Sequence, residues 1–426
     1  LYLVLVSIHG LIRGRNLELG RDADTGGQTL YVVELARALG RHPEVARVDL
    51  LTQRVEDPKV SDDYAQREEV LNEKASIVRL PCGPRRYQRK ETLWPYLDGF
   101  VDHAIRFLRG RRRAPDLVHS HYADAGYVAA SISTLLGIPM VHTGHSLGRS
   151  KKARLLEKGQ SEESIEKTYR ISTRIAAEET ALDHANMVIA STNQEVEEQY
   201  GVYEHYQPER MTVIPPGTDL SRFSPPSESW AQTTPEIWPQ LERFLTDADT
   251  PPILALARPD PRKNLPTLIE AFGRNEDLRS QANLWLIAGT RDSIEELDRG
   301  PRDVLTEILL KIDKYDLYGS VAYPKQHRSE DVPEIYRLAA QRLGVFVNPA
   351  LTEPFGLTLI EAAASGLPIV ATNDGGPRDI TATIGGGKLI DPYDPDALGE
   401  TLLELIRDPK TRRDWSQRGI RAVREH

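Results

Sequence analysis

The feature that most constrains this chain is the repeated alternation of short, continuously apolar runs with longer amphipathic segments. In the first half, residues 1–7, 45–52, 76–80, 116–119, 139–143 and 187–190 read as buried strands. Between them, helical periodicity covers 27–39, 93–108, 125–136, 161–184 and 194–200. A strand buried on both faces carries no polar alternation, and such strands belong to parallel sheets covered by helices. The alternation lapses in a polar, Pro-rich stretch around Ser224-Pro225-Pro226-Ser227 and Trp230, then resumes. Strands are expected at 253–257, 283–288, 320–322, 344–347, 368–371 and 387–390. Helices are expected at 265–272, 304–314, 333–340, 356–365, 395–405 and 410–424.

The fold class is therefore α/β, with two Rossmann-like domains facing across a cleft. An N-terminal domain spans 1–215, a linker 216–250 and a C-terminal domain 251–426. A chain of 426 residues fits two cores of this size. Open sheets of this type bind ligands at the carboxyl ends of their strands, so a cleft between two of them can bring two substrates together.

Composition excludes several classes. A net charge of −9 argues against a nucleic-acid partner. The run Arg109-Gly110-Arg111-Arg112-Arg113 is a local exception, read as a solvated helix end. No apolar run approaches the roughly 20 residues needed to cross a bilayer. Leu1 opens directly in an apolar strand without an initiator Met, so the sequence is expected to start inside a longer chain with no secretory signal before the fold. The single cysteine, Cys82, excludes an internal disulfide and a multi-cysteine metal site, and points to the cytoplasm.

Four segments carry chemistry. In Gly20-Arg21-Asp22-Ala23-Asp24-Thr25-Gly26-Gly27-Gln28-Thr29, paired glycines at a helix start allow a ligand close to free N–H groups. Asp22 and Asp24 resemble a metal-binding pair, but without a further acid or His beside them they read as a solvated loop, and no metal is expected. In Arg258-Pro259-Asp260-Pro261-Arg262-Lys263-Asn264, cations follow a strand and open a helix, which suits a phosphate-bearing ligand. Glu353-Pro354-Phe355-Gly356-Leu357-Thr358-Leu359-Ile360-Glu361 places one acid in a loop and one inside the next helix, spaced to touch different hydroxyls of one extended ligand. His142-Thr143-Gly144-His145-Ser146-Leu147-Gly148-Arg149-Ser150-Lys151 offers small residues and cations around a polar substrate. Arg170 and Arg174, four apart on the expected helix 161–184, share a face. They either help capture a phosphate monoester or form salt bridges to Glu166, Glu178 or Glu179.

Taken together, these segments resemble the retaining two-Rossmann (GT-B-type) glycosyltransferases that include sucrose synthase, glycogen synthase and the sucrose-phosphate synthases. The resemblance is closer to the last of these through GRDADTGGQTLY at 20–31, VVELARAL at 32–39, HSHYADAG at 119–126, TGHSLG at 143–148 and AYPKQ at 322–326. It covers nearly the whole chain. It implies glucose transfer from UDP-glucose, held by the C-terminal domain, to fructose 6-phosphate, held by the N-terminal domain, with no cofactor. By this resemblance Arg258 and Lys263 would neutralise the departing diphosphate. Glu361 would hold the ribose, and Glu353 with Phe355, Gly356, Leu357 and Thr358 would hold the glucose. Lys325, Gln326 and His327 would meet the uracil. Gly26, Gly27 and Gln28 would line the acceptor side, with Gly27 also near the donor, and His145 would sit beside the reacting sugar. Lys90, Tyr122, Ser146, Lys151, Arg170 and Arg174 would complete the acceptor pocket, with Lys90, Lys151 and Arg174 on its phosphate.

Two related activities remain as alternatives: sucrose synthase, which uses free fructose, and mannosylfructose-phosphate synthase, which uses GDP-mannose. A dehydrogenase is disfavoured because Gly26-Gly27 lacks the Gly-x-Gly-x-x-Gly spacing. The sequence departs from the family in having Gln326-His327 where His-His is common. The sequence reads as far as His426, short of where the family's returning helix and, in some relatives, a phosphatase-like domain are expected.

Overall fold

The computed structural model describes residues 1–18, 21–22, 24–157 and 159–425. Gly20 and Ala23 of the first motif, and the terminal His426, lie outside the described residues. The chain divides into two compact units, Leu1–Pro215 and Pro216–His426.

The first unit is built on an eight-stranded sheet in the order β3-β4-β2-β1-β5-β6-β7-β8. Its strands are β1 (Tyr2–Val6), β2 (Arg47–Gln53), β3 (Glu68–Val70), β4 (Ala75–Leu80), β5 (Leu117–His121), β6 (Met140–Thr143), β7 (Met187–Ala190) and β8 (Met211–Val213). All neighbours pair in parallel except β3, which runs antiparallel to β4. The central β1, sequence YLVLV, is buried at every position, as a strand covered on both faces must be. The helix Leu97–Arg109 shows the complementary period, burying Leu97, Phe100, Val101, Ala104, Ile105 and Leu108 along one stripe.

The second unit has a six-stranded, wholly parallel sheet in the order β11-β10-β9-β12-β13-β14. These strands are β9 (Pro252–Leu256), β10 (Asn283–Ile287), β11 (Val321–Ala322), β12 (Val345–Asn348), β13 (Ile369–Thr372) and β14 (Gly387–Ile390).

Strand order fixes where ligands can bind. The chain runs outward from β1 to β2 and β4, then returns to lay β5 on the other side of β1. In the second unit β9 is flanked by β10 and β12 in the same way. At such a reversal the loops after the two adjacent strands part, and their carboxyl ends open a crevice.

Two expectations require correction. Residues 216–250 are not a free linker but part of the second unit. Ile237, Trp238 and Leu241 are buried in its core, and Trp238 packs on Trp285 of β10 at 5.9 Å. Burying side chains of this size contributes roughly 1.5–3 kcal/mol each, enough to fix the segment. The helix expected over 161–184 is two helices, Glu162–Tyr169 and Ile171–His184. Arg170 stands between them with a left-handed backbone, φ +48°, and ends the first helix while capping the second.

Candidate active site

In the second unit, the loops after β9 and β12 deliver the expected cations and acid to one place. Lys263 follows a short turn whose start is capped by Asp260, and Asn264, at φ +55°, turns the chain into the helix Leu265–Arg274. The Asn264 amide donates to the carbonyls of Pro349 (3.1 Å) and Pro392 (2.8 Å), tying this turn to the loops after β12 and β14. Lys263 Nζ donates to Glu353 Oε2 at 2.6 Å, and Asn348 Nδ2 donates to the same oxygen at 2.9 Å. Glu353 is 8% exposed, and its backbone is clamped by Asp374 and Gly376. Arg258 is exposed and, among the described residues, has no carboxylate within ion-pair distance. The crevice thus holds one neutralised cation and one free one, a charge arrangement that accepts an anion.

Gly356 caps the helix Leu357–Ala364 at φ +102°, a conformation that favours glycine, and no side chain caps the helix start. Among the described residues, no side chain takes up the backbone N–H groups of Leu357 and Thr358, which suits them to a ligand. Glu361 lies one turn further on. Tyr336 donates to its Oε2 at 3.2 Å, and burial pushes its carboxyl up to about 7, opposed by Tyr336 and Arg222. With its raised pKa, the folded state holds a proton that the unfolded state releases near 4.5, so fold stability falls as pH rises across that window. Hydroxyl donors from a ligand favour the charged form, so ligand binding runs the other way. Affinity for a diol-bearing nucleotide should rise between pH 6 and 8 and be flat in Glu361→Gln, as read by titration calorimetry at each pH.

Gln326 and His327 lie in the loop after β11, two strands from β9. Gln326 Nε2 donates to Asp292 Oδ1 at 2.7 Å, and His327 Nδ1 is buried without a partner. Arg291, which the sequence did not single out, fixes this loop through the carbonyls of Pro324 and Lys325. Among the described residues, neither Gln326 nor His327 hydrogen-bonds or ion-pairs with Lys263 or Glu353.

In the first unit, Gly26 and Gly27 open the helix Gly27–Arg41 with no side-chain cap, and a Cβ built at either meets nothing within 4 Å. The space over them is open, as a close backbone approach requires. Gln28 Nε2 donates to Ser7 Oγ and to the His121 carbonyl, both at 3.3 Å, bridging the ends of β1 and β5. Tyr122, immediately after β5, has φ +82°, and His145, just after β6, has φ +57°. Left-handed backbone at bulky residues costs on the order of 1–3 kcal/mol and clusters at working sites.

His145 belongs to a group of imidazoles that the sequence did not reveal. His121 Nδ1 and His145 Nε2 share a hydrogen bond of 3.0 Å, His119 stacks on His121 at 4.2 Å, and Tyr31 meets the His145 ring edge-on at 5.1 Å. Burial, then the neighbouring His119 and His142 rings, pushes His145 down to about 3. It is neutral throughout the physiological range.

The cations expected on a phosphate are only partly so disposed. Arg174 is 3% exposed and is held by protein groups: Nε donates to Glu178 at 2.9 Å, Nη2 to the Ser146 carbonyl at 2.6 Å, and the guanidinium lies 4.6 Å from the Tyr122 ring centroid. Glu178 in turn accepts from the Gly148 N–H at 2.9 and 3.0 Å. Arg174 therefore braces the loop that carries Ser146. Arg170 does not join it, because the break between the helices leaves Arg170 exposed near Glu166. Lys90 is ion-paired to Asp24, which also accepts from the Lys90 backbone at 2.9 Å. Asp24 is 5% exposed, so the solvated-loop reading of Asp22 and Asp24 gives way to a buried anchor for Lys90. Asp22 makes an Asx turn, accepting from the Asp24 and Thr25 N–H groups at 2.8 Å.

Lys151 is different. It rests on the Tyr169 ring at 3.7 Å and, among the described residues, has no carboxylate within ion-pair distance. Burial, then Arg174 and Lys90, pulls its ammonium down to about 8. An ammonium so placed, near Arg174 and Lys90 and without a carboxylate of its own, suits an anionic ligand. Its unfolded pKa is 10.5, so the fold gains stability from pH 8 upward while the protein loses the charge that binds phosphate. Affinity for a phosphorylated ligand should therefore drop as pH passes about 8, and Lys151→Arg, which does not titrate there, should abolish the drop.

Among the described residues, no group of three or more His, Cys, Asp or Glu side chains is placed to hold a metal ion. Among them, too, no helix is long and apolar enough to cross a membrane.

Comparison with known proteins gives a consistent result. Residues 237–422 match the family described as glycosyl transferases group 1, and 26–217 match the glycosyl transferase 4-like domain. A sucrose-phosphate synthase of Zea mays is 48% identical over 99% of this chain and 46% of its own length. A probable sucrose-phosphate synthase 1 of Oryza sativa subsp. indica is 48% identical over 99% of this chain and 44% of its own. The chain thus spans about half the length of the curated relatives it matches. Among solved structures, the sucrose-phosphate synthase from Thermosynechococcus elongatus superposes with a TM-score of 0.73 at 26% identity, covering 100% of this chain and 94% of that one.

Proposed function

The chain belongs to the GT-B glycosyltransferase family of the sucrose-phosphate synthases, and from that premise we propose that it transfers glucose from UDP-glucose to fructose 6-phosphate, giving sucrose 6-phosphate and UDP. The observation that carries this reading is the meeting of Lys263 and Glu353 at 2.6 Å at the ends of β9 and β12, with Arg258 in the same loop after β9 exposed and, among the described residues, without a carboxylate partner. Cations fixed there would take up the charge that develops on the diphosphate as the C1–O bond to UDP breaks. Glu353 would accept hydrogen bonds from the glucose hydroxyls, with the N–H groups after Gly356 aimed at the same sugar. Glu361 would accept from the ribose, and the loop at Gln326 and His327 would take the base.

The new C1–O bond forms to the acceptor hydroxyl, whose proton leaves on the departing phosphate, so the configuration at C1 is retained and no enzymic nucleophile or metal is required. In the first unit, Gly26, Gly27, Gln28, Tyr122, Ser146 and His145 would line the acceptor, with Lys151 on its 6-phosphate. A single buried thiol, Cys82, suits a reducing cytoplasm.

The test is UDP release from UDP-glucose with fructose 6-phosphate against plain fructose, and against GDP-mannose as donor, with products read by mass. Turnover with UDP-glucose should be at least tenfold higher for the phosphorylated acceptor. Equal rates with fructose would remove the acceptor assignment, and preference for GDP-mannose would remove the donor assignment.

A further inference from the structure

We infer that His121 fixes the tautomer of His145, so that His145 meets a substrate oxygen as a hydrogen-bond donor through Nδ1–H and not as a base. The functional half of this inference rests on the first unit being the acceptor side.

The two rings share one hydrogen bond, His121 Nδ1 to His145 Nε2 at 3.0 Å. Both are neutral, so a single proton lies between those nitrogens, and there are two ways to place it. If His145 donates from Nε2, the remaining proton of His121 must sit on its own Nε2. That nitrogen is buried and has no hydrogen-bond partner. An N–H sealed away without an acceptor forfeits a whole hydrogen bond, and orphaned buried N–H groups are the rarer kind. If His121 donates from Nδ1, its Nε2 carries only a lone pair, and His145 must keep its proton on Nδ1. The second arrangement avoids the buried orphan donor.

The surroundings hold this geometry. The His121 ring is 0% exposed and stacked on His119, while His145 is half-buried at the mouth of the loop. Tyr31 meets both rings edge-on, at 5.8 and 5.1 Å. The left-handed turn at His145 is bracketed by the Gly144 N–H donating to Tyr200 at 3.0 Å and the Ser146 N–H donating to the Gly144 carbonyl at 2.7 Å. His121 is thus a positioning residue: it reaches no substrate and acts through the ring in front of it. A donor at His145 can hold a sugar hydroxyl by its oxygen and leave that hydroxyl's own proton free to depart on the phosphate. A bare Nδ1 would compete for that proton.

The experiment is nitrogen-15 NMR of the histidine rings in the unliganded full chain, with the His145 signals assigned by their loss in His145→Asn. The expected spectrum has His145 protonated on Nδ1 and bare on Nε2. His121→Asn, whose side-chain amide can replace the Nδ1–H donor, should keep that tautomer and most of kcat. His121→Phe, which cannot donate, should release it and lower kcat by about tenfold to a hundredfold with little change in acceptor KM. A merely structural role for His121 would leave the tautomer unmoved in both variants. If His121→Phe does not fold, the wild-type spectrum alone decides. His145 protonated on Nε2 in the wild type, or equal kcat and tautomer in the two variants, overturns the inference. Should the protein fail to use fructose 6-phosphate at all, the tautomer result stands by itself, and only the acceptor reading is lost.

Discussion

Replacing Lys263 by Ala should lower kcat by about a hundredfold to a thousandfold while changing the KM for fructose 6-phosphate by less than about threefold. The asymmetry follows from where the charge stands. Lys263 follows β9 in the second unit and touches Glu353, while no acceptor group is assigned there. On the proposed function its ammonium would do most when the leaving diphosphate gains charge, so its loss should be felt in the transition state and little in acceptor binding. Asn348 continues to donate to the same Glu353 oxygen, so the carboxylate keeps one of its two side-chain donors. Steady-state kinetics with the acceptor varied at saturating donor separates the two constants. A kcat within about tenfold of wild type, some 1.4 kcal/mol of barrier, would contradict the role given to Lys263.

The second large effect concerns stability. Arg174→Ala should destabilise the protein by about 3–5 kcal/mol, because it leaves Glu178 buried without its cation. Glu178 is 1% exposed and, among the described residues, would keep only the Gly148 N–H and the Tyr203 hydroxyl as donors. The same change frees the Ser146 carbonyl and loosens the loop that ends in Lys151. Adding Glu178→Gln to Arg174→Ala should recover part of the loss, since the buried charge goes with it, and urea unfolding of the two variants checks both statements. A loss below about 1 kcal/mol in the single variant would show that Arg174 faces a ligand rather than the protein. The arginine expected on the acceptor phosphate is held by protein groups as the brace of the loop, and on the proposed function Lys151 would take the phosphate.

These two residues show what the sequence carried and what it did not. Arg258, Lys263 and Glu353 were legible because each sits just past an apolar run. In a parallel sheet, position after a strand is position at the binding edge. The alternation of strand and helix made both sheets legible for the same reason. The face expected to be shared by Arg170 and Arg174 fails because spacing of four implies one only if the helix is unbroken, while the alternative salt bridge of Arg174 to Glu178 is present. Tyr169-Arg170-Ile171 contains neither Gly nor Pro to announce the left-handed residue that breaks it. The pairing of Lys90 with Asp24 and of His121 with His145 joins residues 66 and 24 positions apart, and only the strand order brings them together. The segment 216–250 hid its fold differently. Its prolines and serines read as linker, yet Ile237-Trp238-Pro239-Gln240-Leu241 carries the apolar spacing of a short helix and packs as one. The three-residue strands β3 and β8 are too short for any period to register.

The proposed function rests on fixed positive charge in the loop after β9, from Arg258 and Lys263, receiving a pyrophosphate. Calorimetric titration of UDP and of uridine into the wild type and into a variant carrying both Arg258→Ala and Lys263→Ala tests it without relying on turnover. UDP should bind the wild type about a hundredfold tighter than uridine, near 2.7 kcal/mol, and that margin should fall to within about threefold in the double variant. A margin that survives the loss of both side chains would mean that the pyrophosphate is held elsewhere.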